Sequence, residues 1–380
     1  MSAADRIEGA LATAVADAGL CGAAAAARLP DGAAVEVAVG VRGADNPAAM
    51  TADTQFWIAS CTKALTSAAA LLVVEDGLVD LDEPVGRWLP GLAAPSVITG
   101  FDAAGKPELR AARTPITLRR LLTHTSGLAY GFTSPLVDRF ATATGLSVGQ
   151  NADQFPLAFD PGEGWVYGTG IDWAGHLIAA ATGEPFETYL RRRILDPLGM
   201  DDTSFFPNAE QKSRLASMHA RTPDGGAAAI PFGMPETPHF MMGGGGLYST
   251  VTDYLKFVDA VLGRGPQLMK PASLNALCAS QIGERPEIGV LNSAQPATSN
   301  TFDPFPGADK GWTLGFVTNA GPGPNGRSAG SLAWAGLGNC YYWIDRTAGA
   351  AGIFCSQIFP FADPRALAAF AAFERAVYAG

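Results

Sequence analysis

Hydrophobic periodicity changes along this chain in an order that leaves few folds open. Residues 22–28 and 34–42 carry strand-like runs on either side of Pro30-Asp31-Gly32, which predicts a β-hairpin. Strand period returns only near the other end, at 312–318, 340–345 and 352–357. Between them, from about Leu81 to Gly263, the pattern is mainly helical, with helices expected over 117–123, 171–182, 186–195 and 252–262. Two more are expected at the ends, over 3–18 and 364–378, the second with Leu367, Phe370 and Phe373 at helical spacing. A further apolar helix opens near Ser60 and closes at Gly77, a residue suited to the left-handed turn that ends helices. Strands at both ends with helices between them imply one sheet assembled from the two termini and a helical domain inserted into it.

Composition narrows the function. Hydrophobic residues make up 48% and charged residues 16%, as in a protein with a sizeable core. Acidic side chains outnumber basic ones by 36 to 26, and the densest basic run is Arg191-Arg192-Arg193, so no nucleic-acid partner is expected. Cys21, Cys61, Cys278, Cys340 and Cys355 are odd in number and lack CxxC spacing. They read as small buried hydrophobes rather than a disulfide frame or zinc site, which fits a reduced, cytoplasmic protein. Residues 1–20 spread Asp5, Glu8 and Asp17 among Ile7, Leu11 and Val15, an amphipathic helix and not a signal peptide. The apolar run from Ala64 to Val74 stops at Glu75-Asp76, short of the roughly 18 residues a membrane span needs. His124, His176, His219 and His239 show no metal spacing, and no motif calls for a cofactor, so none is expected.

Chemistry is concentrated at Ser60-Cys61-Thr62-Lys63. Of the six lysines only Lys63 has a serine three positions before it. At the start of a helix that spacing puts both side chains on one face, within hydrogen-bonding reach. A serine hydroxyl attacks an acyl carbon only after a base takes its proton. A lysine serves as that base when burial or a nearby positive potential lowers its pKa from ~10.4. Phe56-Trp57-Ile58-Ala59 and Ala64-Leu65 offer an apolar setting, and the helix start favours an anionic oxygen. Taken alone the tetrad also fits a helix cap followed by a surface lysine.

Two further elements accompany it. Tyr167-Gly168-Thr169 opens the helix expected over 171–182, where the phenol can relay a proton or simply fill the core. Trp334-Ala335-Gly336-Leu337-Gly338-Asn339 leads into the strand at 340–345; its small residues let a substrate approach backbone N–H groups, or form an ordinary turn. A competing serine, in Gly145-Leu146-Ser147-Val148-Gly149, matches the G-x-S-x-G elbow in letters only. It follows a helix-like stretch rather than a strand and precedes loop composition.

Taken in order, Ser60-x-x-Lys63, Tyr167-Gly168-Thr169 and Trp334-Ala335-Gly336 resemble the class C β-lactamase-like serine hydrolase superfamily. The resemblance is strongest to family VIII carboxylesterases and β-lactamase-fold transesterases such as the fungal statin side-chain acyltransferases. It extends to Leu121–Leu128 (LLTHTSGL), Asp196–Met200 (DPLGM), Gly243–Thr250 (GGGGLYST) and Asn339–Asp345 (NCYYWID). It implies an α/β (α+β) fold like that of β-lactamases and penicillin-binding proteins, an antiparallel sheet flanked by helices with an inserted mainly helical domain. The sheet domain is expected from 1–85 and 290–380 and the helical one from 86–289, with the active site in the cleft between them. It implies Ser60 as nucleophile, Lys63 and Tyr167 as the proton-handling pair, and an oxyanion hole from the N–H groups of Ser60 and Leu337. Tyr130, Phe132, Phe240, Trp334 and Gly336 become candidate substrate contacts.

Two departures from the pattern select among activities. Thr169 stands where β-lactamases and D,D-peptidases typically carry Asn, and Trp334 where they carry the Lys of Lys-Thr-Gly. Without that cation an anionic substrate loses about 2–5 kcal/mol of binding, whereas an aromatic wall suits an uncharged ester. The expected function is therefore a serine carboxylesterase that hydrolyses, or transfers, the acyl groups of small neutral esters through an acyl-enzyme. A β-lactamase or short-chain amide hydrolase, and a catalytically silent binding protein on the same fold, are the alternatives.

Overall fold

The computed structural model describes residues 2–282 and 288–379. The hairpin strands β1 (Gly22–Arg28) and β2 (Ala34–Gly40) join five strands from the C-terminal part. These are β3 (Lys310–Trp312), β4 (Val317–Asn319), β5 (Leu332–Gly336), β6 (Cys340–Asp345) and β7 (Ala350–Cys355). The sheet runs β2-β1-β7-β6-β5-β4-β3 and is antiparallel throughout. Its closing pair is β1 with β7, where Ala25 faces Phe354. Chain ends far apart in sequence thus share one sheet.

β1 reads Gly-Ala-Ala-Ala-Ala-Ala-Arg, and Ala23 to Ala27 have no exposure, because helices cover both faces and alanine lets them approach. α1 (Ala3–Asp17) lies beside the C-terminal helix and is started by a capping box between Ser2 and Asp5. Its stripe of Ile7, Leu11 and Val15 is buried. α2 (Thr62–Glu75) is mainly apolar, with Lys63 and three hydroxyls in its first half, and is buried over nearly its whole length. α3 (Gly170–Thr182) packs against α2, and α4 (Val251–Leu262) lies across β1, β7 and β6. α5 (Pro364–Tyr378) is the C-terminal helix, and Phe370 stacks on Tyr341 of β6 with ring centroids 4.9 Å apart.

Three local expectations are corrected. The run 312–318 is not one strand but the facing ends of β3 and β4, with Trp312 opposite Val317. The Thr313 hydroxyl accepts the N–H groups of Gly315 and Phe316 and turns the chain there. The helix of 186–195 is α-helical only over Phe186–Leu190 and widens into a π turn over Arg191–Leu195. Within the mainly helical middle, Ser96–Phe101 and Pro107–Ala111 form an antiparallel pair that helical period does not reveal.

Candidate active site

Ser60 is held at a junction rather than on a simple helix. Phe56–Trp57 pairs with Tyr248–Ser249, and the Ile58 N–H donates to the Leu247 carbonyl at 3.0 Å. The Trp57 indole N–H donates to the Gly245 carbonyl at 2.8 Å. The chain then reverses through Ala59 at φ +44°, a left-handed conformation costing a non-glycine residue of order 1–3 kcal/mol. A 3-10 turn over Ala59–Cys61 delivers Ser60, partly exposed, directly ahead of α2. β5 closes against this turn: a Cβ at Gly336 would sit 2.3 Å from the Ile58 carbonyl oxygen, so only glycine allows the contact.

Lys63 has no exposure, and three hydrogen bonds surround its Nζ. One joins Ser60 Oγ at 3.2 Å, one Tyr130 Oη at 3.1 Å and one the Gly244 carbonyl at 2.6 Å. Tyr130 in turn donates to Asp172 Oδ2 at 2.7 Å, and Asp172 Oδ1 accepts the Gly244 N–H at 2.8 Å. Burial, then the neighbouring Asp172 charge, push the Tyr130 phenol well above its ordinary range, so it keeps its proton.

Tyr167 borders Lys63 on another side, its ring centroid 4.8 Å from Nζ. Its phenolic oxygen accepts the Trp334 indole N–H at 3.2 Å. Beneath it lies His124, ring centroids 4.8 Å apart, whose Nδ1 accepts the Gly168 N–H at 3.3 Å. Burial, and secondarily the Lys63 charge, hold that imidazole well below its usual pKa and therefore neutral. Gly168 is required here, because a Cβ would lie 2.0 Å from the Leu128 carbonyl oxygen.

The structure brings most of the expected residues together. Ser60, Phe132, Tyr167, Trp334 and Leu337 border one narrow space of about 20 Å³. Gly336 backs it. Tyr130 is not a wall of that space but a hydrogen-bond partner of Lys63, with Phe132 stacked on it at 5.3 Å. Phe240 stands apart: it stacks on His176 at 4.2 Å, meets Trp173 edge-on and borders a second, apolar cavity of about 380 Å³. Ser147 follows the helix Pro135–Thr144, which Gly145 ends at φ +71°, and precedes the short helix Val148–Asn151. No strand leads into it.

Asp172 and Gly244 escape a reading of the sequence alone. Asp172 carries one signal, an acid set between Ile171 and Trp173 in the first turn of an otherwise apolar helix. Gly244 carries none beyond its glycine run.

A partly exposed serine whose hydroxyl meets a buried lysine, beside a tyrosine and under a glycine-lined strand, is suited to acyl transfer through the serine. The sequence model of the family described as beta-lactamase matches residues 7–376. The chain belongs to the beta-lactamase family. It is an enzyme of the serine hydrolase kind. Among curated relatives it is 35% identical over 346 residues to the monacolin J acid methylbutanoyltransferase of Aspergillus terreus, spanning 86% of this chain and 82% of that one. It is 32% identical over 322 residues to the lovastatin esterase of Penicillium rubens, spanning 80% of each. Among solved structures, unliganded simvastatin synthase (LovD) of Aspergillus terreus superposes with a TM-score of 0.85 at 32% identity, covering 100% of this chain and 98% of that one. Beta-lactamase family members share the sheet and helices described above, so the fold expected from the sequence holds.

Proposed function

We propose that this beta-lactamase family enzyme is a serine carboxylesterase that works through an acyl-enzyme and passes the acyl group to water or to an alcohol. Ser60 Oγ attacks the ester carbon while Lys63 Nζ, in its amine form, takes the hydroxyl proton. The carbonyl oxygen becomes an oxyanion held by the N–H groups of Ser60 and Leu337. The tetrahedral species collapses, the C–O bond to the leaving alcohol breaks, and that alcohol leaves with the proton of the Lys63 N–H that faces Ser60, relayed through Tyr167. A water or second alcohol then repeats the sequence in reverse, releasing the acid or a new ester and restoring Ser60. The observation that carries this reading is the 3.2 Å contact between Ser60 Oγ and a fully buried Lys63.

The substrates are small, uncharged acyl esters, with Phe132 and Trp334 as walls at the acyl site. Among the described residues no arginine or lysine borders the space at Ser60, which supports this choice over an anionic lactam or peptide terminus. The enzyme acts on free small molecules in the cytoplasm, with neither nucleic acid nor membrane as partner. Its net charge of -10 and its unbridged cysteines support that setting, and among the described residues no helix is long and apolar enough to cross a membrane. The proposal keeps a sheet domain of 1–85 with 290–380 and a helical domain of 86–289, with the active site in the cleft between them.

The test is turnover of p-nitrophenyl acetate and butyrate by wild type and Ser60→Ala, with and without added short alcohols. Wild type hydrolyses both esters, alcohol diverts part of the acyl group into a new ester, and Ser60→Ala loses at least about 10³-fold in kcat. Undiminished turnover in the variant overturns the reading.

A further inference from the structure

Asp172 touches neither Ser60 nor the space beside it, yet it closes both routes by which Lys63 is held. It is 1% exposed and sits in the first turn of α3. One oxygen takes the Tyr130 proton at 2.7 Å; the other takes the Gly244 N–H at 2.8 Å, on the same residue whose carbonyl accepts from Lys63 at 2.6 Å. The approach is so close that a Cβ at Gly244 would lie 2.7 Å from the carboxylate. A side chain at that position would drive the acid away.

Counting protons fixes the direction of every bond around Nζ. A phenol has one proton, and Tyr130 spends it on Asp172, so its oxygen can only accept from Lys63. The Gly244 carbonyl can only accept as well. A neutral amine has two N–H groups and one lone pair, and both N–H groups are now assigned. The remaining direction faces Ser60 Oγ at 3.2 Å, so the lone pair meets the proton it must remove. If the Tyr130 proton pointed at Lys63 instead, it would occupy that lone pair and turn an N–H toward Ser60. The amine would then be in place but inert.

We propose that Asp172 is a positioning residue that makes Lys63 a base toward Ser60, by holding the Tyr130 proton away from the amine and anchoring the Gly244 peptide that takes one of its N–H groups. The inference deepens the esterase reading and rests on it. No atom of Asp172 takes part in bond making, and after Ser60 gives up its proton all three N–H groups of the ammonium are bonded, to Gly244, Tyr130 and Ser60.

Asp172→Asn separates this role from simple packing. The amide oxygen can still accept the Gly244 N–H, but the amide NH₂ donates to the Tyr130 oxygen and turns the phenol proton onto Lys63. The expected result is a loss of about 10²-fold in kcat for p-nitrophenyl butyrate with KM within about threefold of wild type. Tyr130→Phe, which has no phenol proton to misdirect, loses only about 10-fold, and adding it to Asp172→Asn restores at least fivefold of the lost kcat. Losses that multiply in the double variant, or an Asp172→Asn kcat within threefold of wild type, overturn the proposal. Should Asp172→Asn not fold, Tyr130→Phe decides: a loss as large as that of Lys63→Ala means the phenol itself carries the proton, and the assignment fails. A wild type that turns over no ester defeats the functional reading alone. The rate at which a fluorophosphonate labels Ser60 in the same variants then reads the hydrogen-bond assignment.

Discussion

Two tyrosines flank Lys63 in this beta-lactamase family enzyme, and they are bonded in opposite senses. Tyr130 is saturated: it accepts from Lys63, donates to Asp172 and does not border the space at Ser60. Tyr167 borders that space, accepts one N–H from Trp334, and among the described residues gives its proton to no protein atom. The same side chain is thus a fixed part of the lysine's frame on one side and, in the mechanism we propose, the proton carrier on the other. An N–H aimed at the Tyr167 oxygen also favours negative charge there when the proton leaves. Position relative to substrate and the partner of the phenol, not residue type, assign the role.

The strongest way to break this contrast is to remove each hydroxyl in turn. Tyr167→Phe is expected to lower kcat by about 10²–10³-fold, in the range of a lost general acid–base group, against about 10-fold for Tyr130→Phe. Steady-state kinetics on p-nitrophenyl butyrate decides it, and equal or reversed losses would erase the distinction between the two sides. Thermal unfolding should rank them the other way. Tyr130→Phe strands a buried carboxylate oxygen and a lysine N–H, while Tyr167→Phe strands only the Trp334 N–H.

A smaller effect follows from the donor behind Tyr167. Trp334→Phe keeps an aromatic wall and deletes only the 3.2 Å indole bond. A hydrogen bond of about 0.5–1.5 kcal/mol corresponds to a loss of about 2–10-fold in kcat. In a Tyr167→Phe background the same change should cost almost nothing, since no phenol remains to be addressed. A full Trp334 effect in that background would mean the indole serves as substrate wall alone.

Ser60, Lys63 and Tyr167 were readable from the sequence because each lies in a short motif whose spacing is set by one helix or one turn. The sheet was readable too, from the alternation of β2 beyond the Pro30-Asp31-Gly32 turn and from short apolar runs near the C-terminus that are buried on both faces. Tyr130, by contrast, looks like a cleft wall until Asp172, 42 residues later in the first turn of α3, is seen accepting its hydrogen bond. Phe240 lies elsewhere: an aromatic near the glycine run invites a place beside Ser60, and the structure packs it on His176 and Trp173 of α3, along a different cavity. The β3–β4 turn was hidden because Thr313 bonds its own backbone, an interaction that leaves no trace in hydrophobic period. What a sequence withholds here is mostly long-range polar pairing.

The two sides of Lys63 also differ in charge, and acid should reveal it. On the Tyr130 side the buried partner is a carboxylate; on the Tyr167 side it is the neutral His124. Burial, then the Lys63 charge, depress the His124 pKa in the folded protein below its unfolded value of ~6.5. As pH falls below that value the unfolded chain takes up a proton that the native imidazole refuses, so stability present at neutral pH declines, by at most about 1.4 kcal/mol per pH unit. Urea unfolding of wild type and His124→Gln at pH 7.0, 6.0 and 5.5 measures the effect as a difference, in which the response of the surface carboxylates cancels. Glutamine keeps an acceptor in reach of the Gly168 N–H but binds no proton in this range, so the gap between the two proteins should narrow as pH falls. Parallel curves would mean that the folded imidazole takes up its proton as readily as the unfolded one, and that the Tyr167 side tolerates a positive charge.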